Sequence, residues 1–295
     1  MIKFAVSTDS NSDFYSDEIE KLGIFVGRLS FTIQTGKQID EYLDDFKTKQ
    51  EYIDFYNKLK NGAVARTSIL SLQAHIDLFT EMAKKGIKTA LHITQSAGLS
   101  PTIDNANKAI EIVKETYPDI DYIALDSNTT TVAEGMLVRL ACQLRDEGKS
   151  RDEAYAILEH EKNHIQHYIL VDDLMYLKRG GRLSGASAAI GTLLAIKPII
   201  EFTKKGKLEV IKKVRGVKAA LKSIVSEFSK HGKSEYFDIV IVHTNNEPLA
   251  LSLQEMLYEE IGIKPEIRIM GPIIGAHVGP GSVAYTFISG SDRPY

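Results

Sequence analysis

Short apolar runs alternate with stretches that repeat an apolar residue every three or four positions through the first half of the 295-residue chain. Met1-Ile2-Lys3-Phe4-Ala5-Val6 reads as a first strand, followed by the polar run Asp9-Ser10-Asn11-Ser12-Asp13 and a charged helical stretch. Thr89-Ala90-Leu91-His92-Ile93-Thr94 precedes a helix started by Pro101, and Tyr122-Ile123-Ala124-Leu125 precedes a helix running through Leu144. Strands alternating with helices of ten or more residues predict βαβ units and a mostly parallel sheet flanked by helices.

The second half has a different rhythm. Ile169-Leu170-Val171 reads as a strand, and Pro198 to Arg215 as a hairpin turning at Lys205-Gly206-Lys207. Asp238 to His243 is a further strand, Pro248 to Glu260 a helix, and the end is a strand around Arg268 with a glycine-rich turn, Gly271 to Gly281. The fold class is therefore α/β with two domains: residues 1–165 around a parallel sheet, and residues 166–295 around a mixed sheet. A chain of this length has a natural prior of two domains and buries enough surface to need no disulfide. The single cysteine, Cys142, lies on the apolar stripe of its helix and is expected in the core.

Nothing resembling a basic segment, an apolar stretch and a small-residue cleavage site opens the sequence, so a cytoplasmic protein is expected. The longest nearly apolar stretch, Ala186 to Ile196, is too short to span a bilayer. Charge is uneven: residues 1–150 carry about −5 and the remainder about +2, within an overall −3. Residues 178–222 concentrate 12 Lys or Arg against Glu201 and Glu209. Such a patch attracts an anionic partner over about a Debye length, roughly 8–10 Å. An acidic protein, a phospholipid surface and nucleic acid all fit that description. Only Phe202 supplies an aromatic ring in the stretch, so single-stranded nucleic acid lacks a stacking platform.

Hydroxyls crowd the strand-to-helix junctions of the first half. Thr67 and Ser68 precede a helix beginning near Ser71. Ser100 stands at an expected N-cap before Pro101, and Ser127 with Thr129 to Thr131 opens another helix. In parallel α/β sheets such junctions line the carboxyl edge, where ligands bind and free helix N–H groups favour anions. Each hydroxyl can equally cap its own helix, but several at one edge favour binding. In Gly271 to Gly281, His277 is the only polar ring, suited to donating to a carboxylate or phosphate.

Three sharper patterns fare less well. His160-Glu161-Lys162-Asn163-His164 has the H-E-x-x-H spacing of zinc peptidases, but its polar surroundings favour an exposed helix end, so no metal site is expected. Gly98-Leu99-Ser100-Pro101-Thr102 approaches a nucleophile elbow, with Ser100, Asp126 and His277 in hydrolase order. Pro101 has no N–H for an oxyanion hole, and no catalytic residue is assigned. No glycine pattern matches a dinucleotide fingerprint or a phosphate loop.

Ser7-Thr8-Asp9-Ser10-Asn11-Ser12-Asp13, Thr67-Ser68, Leu99-Ser100 with Thr102, Asp173 to Ser184 (DLMYLKRGGRLS) and Gly275-Ala276-His277-Val278-Gly279-Pro280-Gly281 run from end to end of the chain. Leu194 to Pro198 and Val214 to Ala219 fall in the same order. Together they resemble the DegV family, which includes the fatty-acid-binding subunits of bacterial fatty acid kinase. The resemblance implies a long-chain fatty acid between the domains, its carboxylate toward Thr67, Ser68, Ser100 and His277, with Arg215 near the headgroup. It also implies no cofactor, and no complete reaction by this chain alone. A separate kinase subunit would phosphorylate the bound acid with ATP and magnesium, and the basic patch would serve docking or a transient membrane contact. The rivals are an acyl hydrolase using Ser100 and a nucleic-acid-binding protein using residues 178–222.

Overall fold

The computed structural model describes residues 3–183 and 196–294. Most of the apolar stretch Ala186 to Ile196 thus lies outside the described residues, as do Ser184, Leu194 and Ala195 of the family motifs. By internal packing the chain divides into two compact units. Unit 1 comprises Met1–Thr32, Glu41–Lys47 and Thr67–Asn163; unit 2 comprises Ile33–Asp40, Thr48–Arg66 and His164–Tyr295.

Unit 1 is built on the parallel sheet its pattern predicts. Strands β1 (Ala5–Asp9), β2 (Phe25–Gly27), β6 (Thr89–Thr94) and β7 (Asp121–Asp126) pair in the order β2-β1-β6-β7, every neighbour parallel. Helices α3 (Leu72–Lys84) and α4 (Thr102–Thr116) cover it with a core that includes Phe79, Met82, Ala106, Ala109 and Val113. Helix α3 starts where its sequence says: the Ser71 hydroxyl accepts the Ala74 N–H at 3.1 Å. Such a cap contributes about 1 kcal/mol. Helix α5 (Val132–Asp146) is buried along most of its length, Cys142 included, as expected for a helix apolar nearly all round. Helices α1 (Ser16–Leu22) and α6 (Arg151–Glu161) complete the unit. A short three-stranded sheet has the order β4-β3-β5, from β3 (Ser30–Thr35), β4 (Gln38–Leu43) and β5 (Val64–Thr67).

Unit 2 contains a mixed sheet in the order β10-β9-β8-β13-β11-β12. Its strands are β8 (Ile165–Leu170), β9 (Ile196–Phe202), β10 (Leu208–Arg215), β11 (Ile239–His243), β12 (Glu266–Ile269) and β13 (Val283–Ile288). Strands β11 and β12 are parallel; the remaining pairs are antiparallel. The 198–215 hairpin forms as its pattern predicts, with a bulge between Val210 and Lys212. Helices α8 (Val217–Val225) and α9 (Glu247–Ile261) bury Leu221, Ile224, Leu253 and Leu257 against the sheet. Each buried side chain of this kind contributes roughly 1.5–3 kcal/mol. Helices α2 (Lys49–Lys60) and α7 (Leu174–Arg179) also belong to this unit.

Two features depart from the sequence reading. The stretch Gly271 to Gly281 is not irregular throughout: Pro272–Val278 form helix α10, with proline in its first turn, where a missing N–H costs nothing. Beyond it, β13 is an interior strand buried along its whole length, so its residues show no alternation that would mark a strand. Among the described residues no helix is long and apolar enough to cross a membrane.

Candidate functional site

Two loops at the carboxyl edge of the parallel sheet, after β6 and β7, hold hydroxyls of unit 1; the Thr67-Ser68 junction, expected at the same edge, instead follows β5 of the three-stranded sheet. After β6, the Ser100 hydroxyl lies 3.1 Å from that of Thr102, both buried. The expected capping role for Ser100 is not observed: Pro101 occupies the N-cap of α4 without a side-chain bond. The Ser100 hydroxyl is thereby left to other polar work. Asp126, after β7, accepts the Ala97 and Asn128 N–H groups at 3.2 and 2.9 Å through one oxygen, and Ser96 N–H donates to Thr129 O at 2.7 Å. These bonds tie the two loops together. Asp126 thus serves the loop backbone, and Ser100 pairs with a hydroxyl, neither being the arrangement a serine nucleophile requires. Thr67 ends β5; next to it Ser68, exposed, donates to Ser30 O at 2.9 Å with the Ser30 hydroxyl equally close.

The same edge carries a buried acidic group that the sequence reading assigned no role. Asp9, Asp44 and Glu134 are buried within unit 1. Asp9 accepts the backbone N–H of Asn11 at 2.9 Å, the Asn11 side chain at 2.8 Å and the Gln95 N–H at 3.2 Å. Thr8 donates to Glu134 Oε1 at 3.0 Å. Burial pushes Asp9 up to about 6 and Asp44 up to about 7. Burial, and then the neighbouring Asp9, raise Glu134 well above the usual carboxylate range. The available signal was a lone glutamate inside the apolar helix Val132-Ala133-Glu134-Gly135-Met136. Nearby, Thr131 caps α5 at φ 59, ψ −144, a conformation that costs a β-branched residue on the order of 1–3 kcal/mol. Backbone strain of this kind clusters at functional loops.

In unit 2, His277 sits in the last turn of α10, partly buried. Burial, reinforced by the Arg182 charge, lowers its pKa to about 4, so the ring is neutral at pH 7 and has one N–H to donate. Helix α10 is seated by close contacts at glycines: a Cβ on Gly275 would meet the Tyr56 hydroxyl, and one on Gly279 the Tyr176 ring. Tyr56 donates to Met270 O at 2.7 Å and Tyr176 to Leu59 O at 3.2 Å, which fixes both rings. Arg215, the last residue of β10, is exposed. Most basic residues of 178–222 are exposed too, while Phe202 is buried. A cavity of about 350 Å³ opens beside the start of α8 and α9, with Leu170, Val171, Val217 and Leu249 beside the ion-paired Asp172 and Lys197, 2.6 Å apart. That size falls at the lower end of small-ligand sites.

His160, the penultimate residue of α6, has an exposed ring bonded to Glu161 at 3.0 Å. The helix stops at Glu161, so His164 is not one turn further along it. The expected exposed helix end is only partly seen: Glu161 and Lys162 are buried, Lys162 paired with Glu159 at 2.6 Å. Ligand atoms of His160, Glu161 and His164 lie within 4.8 Å of one another.

A profile of the DegV family, described as uncharacterised proteins, matches residues 3–290. The chain belongs to the DegV family. A DegV domain-containing protein of Clostridium perfringens is 35% identical over the whole of both chains. Among solved structures, a fatty-acid-binding DegV family protein of Streptococcus agalactiae is 31% identical, covers 99% of this chain and 100% of its own, and superposes with a TM-score of 0.79. DegV of Bacillus subtilis, described as a fatty acid binding protein, is 26% identical over 98% of this chain and 100% of its own, with a TM-score of 0.80. The parallel and mixed sheets are thus the DegV architecture, and the hydroxyls and His277 lie in motifs spread through its whole length.

Proposed function

We propose that this DegV protein binds a long-chain fatty acid and presents its carboxylate to a separate ATP-dependent kinase subunit. The observation that carries the reading is the fatty-acid-binding relative from Streptococcus agalactiae, which shares 31% identity across 99% of the chain. In this reading Thr67, Ser68 and Ser100 of unit 1 and His277 of unit 2 solvate the carboxylate, with Arg215 near the headgroup. The chemistry of the donors supports it. A buried carboxylate needs several hydrogen bonds, each contributing roughly 1.5–3 kcal/mol when one partner is charged. A neutral imidazole supplies such a bond without the cost of burying its own charge. The tail dominates affinity at about 0.8 kcal/mol per buried methylene, and Leu170, Val171, Val217 and Leu249 offer it apolar surface.

The kinase step belongs to the partner: the γ-phosphoryl of ATP joins a carboxylate oxygen, ADP leaves, and an acyl phosphate forms. The exposed basic residues of 178–222 suit docking to that partner or a transient approach to an anionic membrane. A hydrolase or a nucleic-acid-binding role draws no comparable support, given the partners of Ser100 and Asp126 and the burial of Phe202. Native mass spectrometry of freshly purified protein tests the reading. A copurifying mass of a long-chain fatty acid, released on denaturation, is expected. A ligand-free protein that takes up no added palmitate or oleate would overturn it.

A further inference from the structure

Gly180 and Gly181 are adjacent but serve different ends. Gly181 has φ +69, and a Cβ there would meet nothing within 4 Å. It is a glycine for the sake of its backbone. Gly180 has φ −73 and ψ −10, an ordinary right-handed conformation that alanine adopts without strain. At such a position alanine normally stabilises a protein, because the unfolded chain has less freedom to lose. What a Cβ at 180 would meet is the His277 ring: it would lie 2.2 Å from Nδ1 and 3.2 Å from both Cε1 and Cγ. That overlap is far inside van der Waals contact, so either the ring or the backbone must move.

The backbone on each side resists. Gly180 N–H donates to Tyr176 O at 2.9 Å, Gly181 N–H to Lys178 O at 3.1 Å, and Arg182 donates to Gly180 O. On the facing side α10 is held by Tyr56 against Gly275 and by Tyr176 against Gly279. The imidazole turns about two side-chain bonds, so a Cβ at 180 displaces the ring before it displaces either backbone. Tyr176 therefore belongs to both walls, lying one turn before Gly180 on α7 and against Gly279 at the end of α10.

We propose that Gly180 is a positioning residue for His277: the missing side chain at 180 is the slot that holds the imidazole in the orientation used to meet the ligand carboxylate. The inference deepens the fatty-acid reading and rests on it for the identity of the ligand, but the contact between Gly180 and His277 stands without it. It also gives the Lys178-Arg179-Gly180-Gly181-Arg182 segment a task apart from its charge.

The test is a double-mutant cycle of Gly180→Ala and His277→Ala, read by palmitate affinity, thermal stability and the His277 ring resonances in the full chain. Gly180→Ala is expected to keep or raise the melting temperature, to shift the His277 resonances, and to move its titration from about 4 toward the ordinary histidine value. It is expected to weaken palmitate binding about tenfold, the loss of one hydrogen bond to a charged group. In the His277→Ala background the same change is expected to leave affinity where it was. Gly181→Ala is the contrast, expected to lower stability and leave the His277 resonances in place. Unmoved His277 resonances in Gly180→Ala, or an equal affinity loss with and without His277, would overturn the proposal. If wild-type protein binds no fatty acid at all, the functional reading fails instead, and the resonance shift still decides whether Gly180 positions His277.

Discussion

At the edge of the parallel sheet polar groups are fixed by other polar groups: Asp9 by Asn11 and Gln95, Glu134 by Thr8, Asp126 by two loop N–H groups. Around α10 in unit 2, His277 is fixed by side chains that are missing, with Gly180 beneath its ring and Gly275 and Gly279 letting two tyrosines close on its helix. The first arrangement depends on protonation, because two of its members, Asp9 and Glu134, are buried acids. The second depends on shape, because a Cβ at Gly275 or Gly279 would enter a tyrosine and one at Gly180 would meet the His277 ring. Substitutions at the two places should therefore fail differently, the first with pH and the second with volume.

The largest effect is expected at Gly279. Its φ of 74 and ψ of 171 lie in a region open essentially to glycine, and a Cβ would enter the Tyr176 ring at 2.3 Å. Backbone strain and overpacking together should make Gly279→Ala less stable by about 3 kcal/mol, independent of pH. Urea unfolding at pH 6 and pH 8 checks this; a loss that changes with pH would blur the contrast. A smaller loss is expected on function: His277→Ala should weaken fatty-acid affinity about tenfold. If the proposed kinase step holds, it should reduce acyl-phosphate formation by an added fatty acid kinase further, since a tail that supplies most of the binding does not orient the carboxylate. Equal losses in the two assays would remove the division between holding and presenting.

The smallest effect belongs to the acid group and carries a sign. Burial holds the folded Glu134 carboxyl well above its ordinary pKa of 4.5, which the unfolded glutamate keeps. Folding therefore becomes less favourable as pH rises from there toward the raised folded value. Glu134→Gln removes that dependence and keeps an acceptor for Thr8. It should be more stable than wild type at pH 8, with the gap closing toward pH 5. Denaturant midpoints at the two pH values measure it, and a constant gap would mean the proton is not there.

These contrasts also explain what could be read in advance. The βαβ order of the first half and the 198–215 hairpin were legible because strand and helix periods differ and turn residues punctuate them. Helix α10 was hidden, because Gly271, Gly275, Gly279 and two prolines look like a loop until their packing partners are known. Strand β13 was hidden because Val283-Ala284-Tyr285-Thr286-Phe287-Ile288 is buried on both faces and alternates nothing. Residue types placed the hydroxyls and His277 in the candidate site. Burial, which no residue type states, revealed the raised acids and the neutral imidazole. Gly180 carries no such signal in the sequence, since a close approach between distant segments leaves no local trace.

The most direct measurement is the carbon NMR spectrum of palmitate labelled at its carboxyl carbon and bound to the protein. A carboxylate solvated by Thr67, Ser68, Ser100 and His277 should give one bound resonance that does not titrate with the free acid and that moves in both Ser100→Ala and His277→Ala. A bound resonance that titrates like free palmitate and ignores both substitutions would contradict the account.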